Sequence, residues 1–354
     1  MKVYVVAYCQ QNLGDDMFVQ TLVRRYPHIQ FMINADPKLC GAFLGEKNLK
    51  MPSKLIVFVQ RCLNKLRLLS VDRYCRIAAQ PYDAVIRIGG SIFMENPAFA
   101  CDLSSFHRNE FVVGANFGPY VTETYLNQVE TNLTHCTDVC FRDRYSLNMF
   151  KHLKQIRYAP EILFGYRYYP ERNKGYGVGI SVIAAHERSA LERVGQQYYD
   201  TIAAVCDLLS MQDIPVKLFS FCKQEGDMRA VGRVLEKVNH RENVTVCQYE
   251  GNVDRILEEM NSCEYMIATR YHAMILAWAM GKKVLPVIYS RKQTHVLDDM
   301  HYDGYVWDLL TGEQPSPSEV IKQCLCSKNM LDVNQLAVDS QRHFDGVDCF
   351  FRAK

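Results

Sequence analysis

The chain has 354 residues, 48% of them hydrophobic and 23% charged, with a formal net charge of +2. That length exceeds one ordinary core and suggests two domains, and the composition is that of a soluble globular protein. The small net charge removes the electrostatic footprint expected of a nucleic-acid binder, and no stretch reaches the roughly 18 to 20 apolar residues of a membrane span.

The N-terminus, MKVYVVAYCQQNLGDD, has a short apolar run followed by acids and no small-residue cleavage site. It reads as a first strand and not as a signal peptide, so a cytoplasmic protein is expected. Further runs of strand length follow at 82–90, 110–118, 138–143, 176–183, 215–222, 265–269 and 283–289. They are continuous rather than alternating, the mark of strands covered on both faces in a parallel sheet. Helical spacing at 123–136, 196–212 and 228–239 lies between them. The order predicts α/β architecture with two Rossmann-like domains.

Prolines, glycines and charges interrupt the pattern at 158–177, which places one domain at 1–165 and a second at 170–330. The helical tail, 330–354, could cross back onto the first domain. Fourteen cysteines are scattered without a CxxC pair. They read as buried reduced thiols, not as a disulfide or zinc framework, and no metal is expected.

In open α/β sheets ligands bind outside the carboxyl ends of the strands, so candidate residues are sought there. After the first strand come Asn12, Gly14, Asp15 and Asp16, residues suited to capping a helix and admitting close backbone approach. Gly89 and Gly90 follow the strand at 82–90, in a loop that is neither a Walker loop nor GxGxxG. Arg142, Asp143, Arg144 and Ser146 cluster where another strand becomes a helix. An arginine there offers a planar fork to a carboxylate or phosphate, Asp143 could pair with an arginine, and Ser146 could cap the helix.

The stretch ATRYHAMILAWAMGKKVLPVIYSRK places Arg270 and His272 at the start of an apolar helix, and Tyr289, Arg291, Lys292 and His295 at the next strand exit. Cations at a helix N-terminus are unfavourable by themselves, and a bound anion would reverse that cost. Two neighbouring basic exits suit a compact, multiply charged anion.

These elements resemble the polysaccharide pyruvyl transferases. The resemblance lies in the NxGDD loop, the Gly89–Gly90 loop, the RDxxS element at Arg142, Asp143 and Ser146, the Pro160–Glu161 pair, SFCKQEGD around Asp227, and the RYH helix followed by a strand and YxxK. The glycine loop reads GGS where the family often has a third glycine, and Glu161 stands where Asp is usual. The resemblance implies a GT-B-like architecture with an interdomain cleft, and transfer of pyruvate from phosphoenolpyruvate to two hydroxyls of a hexose, releasing phosphate. A 4,6-ketal on galactose or a mannosamine-type residue is the expected product, in capsule or exopolysaccharide biosynthesis.

By that resemblance His272 and Asp15 are the catalytic candidates. Arg142, Arg270, Tyr271 and Lys292 would bind the donor, and Asn12, Gly14, Asp16, Gly89 and Gly90 the acceptor. Phosphoenolpyruvate is a co-substrate and no cofactor is implied. The acceptor is expected to be a lipid-linked, undecaprenyl-pyrophosphate-type glycan at the inner face of the cytoplasmic membrane. Residues 50–76 mix Lys and Arg with Leu, Val and Phe; they read first as a solvated helix packed on the first domain, and alternatively as a basic amphipathic helix lying on an anionic membrane. A GT-B nucleotide-sugar glycosyltransferase and a non-catalytic glycan- or anion-binding protein remain the alternative readings.

Overall fold

A computed structural model describes residues 1–65, 77–95, 107–328 and 331–354. The chain divides into two compact units. One comprises Met1–Cys9, Asp15–Gly165 and Leu336–Lys354, the other Gln10–Gly14 and Tyr166–Gln335.

The first unit holds a seven-stranded parallel sheet: β1 (Lys2–Val6), β2 (Gln30–Ile33), β3 (Leu49–Lys50), β4 (Ala84–Ile88), β5 (Glu110–Ala115), β6 (Asp138–Phe141) and β7 (Ile156–Tyr158), in the order β3-β2-β1-β4-β5-β6-β7. Every residue of β4 and β5 is buried, which explains their unbroken apolar runs. The exception in β4 is Arg87, and its charge is met by Glu110 at the start of β5.

Helix Val333–Ser340, the 3-10 turn Gln341–Phe344 and helix Asp345–Arg352 close the chain, and from Leu336 onward it belongs to this first unit. Phe350 packs on Phe111 and Phe351 on Tyr26, while Arg25 and Tyr26 both hydrogen-bond Asp348.

The second unit holds a six-stranded parallel sheet: β8 (Val178–Ser181), β9 (Val216–Ser220), β10 (Val244–Gln248), β11 (Tyr265–Ala268), β12 (Lys283–Ile288) and β13 (Trp307–Asp308), ordered β10-β9-β8-β11-β12-β13. Helix Tyr271–Ala279 follows β11 and is apolar around almost its whole circumference because it is buried, with Met274, Ile275, Leu276 and Trp278 sealed from solvent. Each such side chain contributes about 1.5–3 kcal/mol relative to exposure.

In each sheet the strand order reverses once, between β1 and β4 and between β8 and β11. Such reversals open a crevice at the carboxyl ends, and the loops that leave these strands carry most of the candidate residues.

Helix Lys54–Lys65 exposes Leu55, Ile56, Phe58 and Val59. The rest of the basic segment expected to meet a membrane, 66–76, lies outside the described residues. No helix among the described residues is long and apolar enough to cross a membrane.

Candidate functional site

In the second unit, β11 ends at Ala268, and Thr269 and Arg270 turn the chain into helix Tyr271–Ala279. Ser181, the last residue of β8, fixes this turn by accepting the Thr269 and Arg270 amides at 3.0 and 3.1 Å. Arg270 is only 6% exposed. It forks onto Asp227, with Nε 3.0 and 2.9 Å from the two carboxylate oxygens, and reaches Glu225 through Nη1. The anion that makes a buried cation tolerable at a helix start is therefore supplied first by the chain itself.

Asp227 is in turn held by the Phe221 and Cys222 amides at 3.0 and 2.9 Å, which ties the exit of β9 to the exit of β11. Glu225 accepts Asn12 Nδ2 at 3.0 Å and lies 3.6 Å from Arg188 Nη2. Burial raises its pKa, but Arg270, Lys292 and Arg188 outweigh that and hold the carboxyl at about 2. The charge on Arg270 is likewise strengthened, because Asp227 and Glu225 more than offset its burial.

Gln10–Gly14 belongs to this unit. Asn12 Oδ1 accepts the Gly14 amide at 3.2 Å, and Gly14 lies so close to His272 that a Cβ would fall 1.8 Å from Nδ1. The expected close approach at this glycine is thus made by the imidazole. His272 is half-buried at the second position of its helix, against the Tyr271 ring at 5.1 Å.

At the next exit, helix Arg291–Asp299 begins after Ser290. Lys292 Nζ lies 5.7 Å from the Tyr271 ring centroid and 6.0 Å from that of Tyr289, while Arg188 Cζ lies 4.7 Å over Tyr289. Burial raises the Tyr289 pKa, yet the charges of Lys292, Arg270 and Arg188 prevail over it and over Glu225, so the phenol is lowered from its ordinary value. Buried Gln293 stitches the two exits together. It accepts the Tyr289 amide at 3.0 Å and donates to Thr269 and Val287 carbonyls at 2.9 and 3.1 Å.

In the first unit, Arg142 leaves β6 and is 2% exposed. It donates to Glu161 at 2.8 Å and Asn116 at 2.7 Å. Its guanidinium lies against Gly90, where a Cβ would come within 2.4 Å, so any larger residue there would push the guanidinium aside. The helix cap expected of Ser146 comes instead from Asp143, which accepts the Ser146 amide at 2.7 Å; Ser146 Oγ accepts the Phe117 amide at 2.7 Å. Asp15 and Asp16 occupy the first turn of helix Leu13–Arg25. A Cβ on Gly89, whose φ is +151°, would lie 3.8 Å from Asp15 Oδ1, which places that carboxylate beside the glycine loop.

Arg188, Glu225, Gln293, Asn116 and His343 were not foreseen as site residues. His343 Nε2 donates to the Pro160 carbonyl at 2.8 Å and so braces the turn that presents Glu161 to Arg142. Burial, aided by nearby Arg157 and Arg142, lowers its pKa to about 3. Among the described residues no group of three or more His, Cys, Asp or Glu side chains is arranged to hold a metal ion.

The family model for polysaccharide pyruvyl transferases matches residues 12–291, more than three quarters of the chain. The chain belongs to this family. Its matched span takes in both glycine loops, Arg142, Arg270, His272 and the exit of β12.

No curated protein matches the sequence. Solved structures show the fold. The UDP co-structure of MnaA from S. aureus aligns with a TM-score of 0.61 at 10% identity, over 99% of this chain and 96% of that one. The Methanocaldococcus jannaschii UDP-GlcNAc 2-epimerase bound to UDP-GlcNAc and UDP gives 0.57 at 10% identity, over 100% of both chains. Anabaena Alr3699/HepE with UDP and glucose gives 0.54 at 9% identity, over 98% and 96%. These likenesses establish two Rossmann-like domains of the GT-B class.

Proposed function

We propose that this family member transfers pyruvate from phosphoenolpyruvate to two hydroxyls of a hexose, forming a cyclic ketal and releasing phosphate. The observation that carries the reading is the grouping, at the carboxyl edge of the second sheet, of His272 on one helix start with Lys292 and Arg188 around Tyr289. A donor bearing both a carboxylate and a phosphate needs that arrangement: cations fixed in advance and a proton-transfer group at hand.

Chemically, the enol phosphate becomes electrophilic at C2 once C3 is protonated. His272 is assigned the role of proton donor to C3 and Asp15 that of base for the attacking hydroxyl. The hydroxyl oxygen bonds to C2, the C2–O bond to phosphate breaks, and the second hydroxyl closes the ring. One hydroxyl proton replaces the proton given to C3, and the other leaves with phosphate. The scheme requires no metal or cofactor.

Lys292 and Arg188 are assigned to the donor's charged groups, with Tyr271 lining that site. Arg270, committed to carboxylates of the chain, serves the donor through the turn it holds in place, while Arg142, expected at the donor, is committed to Glu161 and Asn116 within the first unit. Asp16, expected at the acceptor, is fully buried and is assigned to shaping the first turn of its helix, while Gly89 and Gly90 are assigned to the acceptor. Asn12 and Gly14, expected beside them, contribute by holding Glu225 and making room for His272.

The acceptor fits a lipid-linked glycan at the inner face of the cytoplasmic membrane. The exposed Leu55, Ile56, Phe58 and Val59 on a helix in a basic stretch without acids until Asp72 support a peripheral contact there.

The test is incubation of the pure protein with phosphoenolpyruvate and galactose- or mannosamine-type acceptors. Phosphate release with gain of a pyruvyl group by the acceptor is the expected result. Turnover only with a nucleotide sugar would replace this reading with a glycosyltransferase.

A further inference from the structure

Two cations on long, flexible stems do not by themselves make a specific anion site, because ordering them costs entropy and bringing them together costs repulsion. Tyr289 answers both problems. Its backbone directly follows the buried strand β12 and is fixed by Gln293, which is bonded to the chain at three points. Its side chain is nearly buried, and both Arg188 at 4.7 Å and Lys292 at 6.0 Å lie near the same ring. Lys292 also lies near Tyr271, so its ammonium is close to two aromatic rings carried by two strand exits.

The charged groups acting on the phenol come from four elements: Arg188 between β8 and helix Gly195–Ser210, Glu225 after β9, Arg270 after β11 and Lys292 after β12. Glu225 lies 3.6 Å from Arg188 and acts electrostatically on Lys292's side of the cluster as well. The ring and this carboxylate together offset the repulsion between two like charges that lie near one phenol.

We infer that Tyr289 is a positioning residue for the donor: the face of its ring, and not its hydroxyl, holds Arg188 and Lys292 where both can grip one dianionic or trianionic ligand. The inference rests on the donor reading given above. It adds a requirement for an electron-rich ring at this position, since the attraction of a cation to an aromatic face depends on the ring quadrupole.

The deciding comparison uses full-length wild-type protein, Tyr289→Phe, Tyr289→Leu and a variant carrying pentafluorophenylalanine at 289, which keeps the planar ring of Phe at slightly larger volume and reverses the ring's electrostatics. Phosphoenolpyruvate affinity is measured by calorimetry, and KM and kcat by phosphate release. Tyr289→Phe should stay within about twofold of wild type, while the fluorinated and leucine variants weaken binding and raise KM about five- to tenfold with a much smaller change in kcat. A fluorinated variant that binds as wild type does, or a Phe variant as impaired as the Leu one, would overturn the inference while leaving the donor reading intact. Wild-type protein that takes up no phosphoenolpyruvate would overturn the donor reading and this inference with it. The fluorinated variant keeps the comparison decisive even where leucine disturbs folding.

Discussion

Gly14 and His272 are in direct contact, with no space between them for a side chain: a Cβ on Gly14 would fall 1.8 Å from Nδ1 and 2.4 Å from Cε1 of the imidazole. Glycine is needed here for room, and the ring's position depends on it. Gly14→Ala should displace the imidazole and cut kcat by about a hundredfold, the effect of an ångström-scale misplacement of a reacting group. The check is phosphate release compared with the melting temperature, which should change far less than turnover.

His272→Asn keeps a polar side chain and removes the proposed proton donor. The expected loss in kcat is about 10² to 10⁴-fold, with donor affinity close to that of wild type. Stopped assays of phosphate release alongside a binding titration separate these two quantities.

The Arg270–Asp227 pair makes a prediction about stability. Asp227 is fully buried and holds both the guanidinium and two backbone amides. Asp227→Ala leaves a buried cation with less compensation and should destabilise the protein by about 3–5 kcal/mol, read from urea unfolding of the second unit. Glu161→Ala, which strips the same support from Arg142, should act comparably on the first unit.

Acid sensitivity should have an identifiable source in His343. Its folded pKa lies at about 3, well below the ordinary 6.5, so between those values the unfolded chain binds more protons than the native one. Its contribution to stability is complete above about 6.5 and is lost as pH falls toward 3. His343→Gln can still donate to the Pro160 carbonyl without titrating, so its melting temperature should fall less steeply across that window. Glu225, whose folded pKa is about 2, acts lower: its contribution is present above the ordinary 4.5 and is lost as pH falls below that value toward 2.

The central strands were legible because burial on both faces leaves an unbroken apolar run, as in FVVGA within β5 and VLPVI within β12. Edge and short strands were not. β10 lies at a sheet edge with Thr245 and Val246 exposed, so it lacks that signature, and β3 and β13 are two residues each. The basic exits were legible because a strand running straight into a helix confines the search to a few positions. What no local pattern could reveal was pairing across the chain. Glu225 and Asp227 reach Arg270 over more than forty residues, and His343 reaches Pro160 over 183. The sequence offered one hint of the first, the acids of CKQEGD directly after a buried strand, and none of the second.

The account stands or falls on where the donor's negative charge is held. The most direct measurement is calorimetric titration of phosphoenolpyruvate into wild-type protein, Lys292→Met, Arg188→Met and, as a control, Lys237→Met, whose ammonium pairs with Asp200 on the surface. The account predicts saturable binding by wild type and the control, and at least about tenfold weaker binding by each of the other two. Equal affinity in all four proteins, or no binding by wild type, would contradict it.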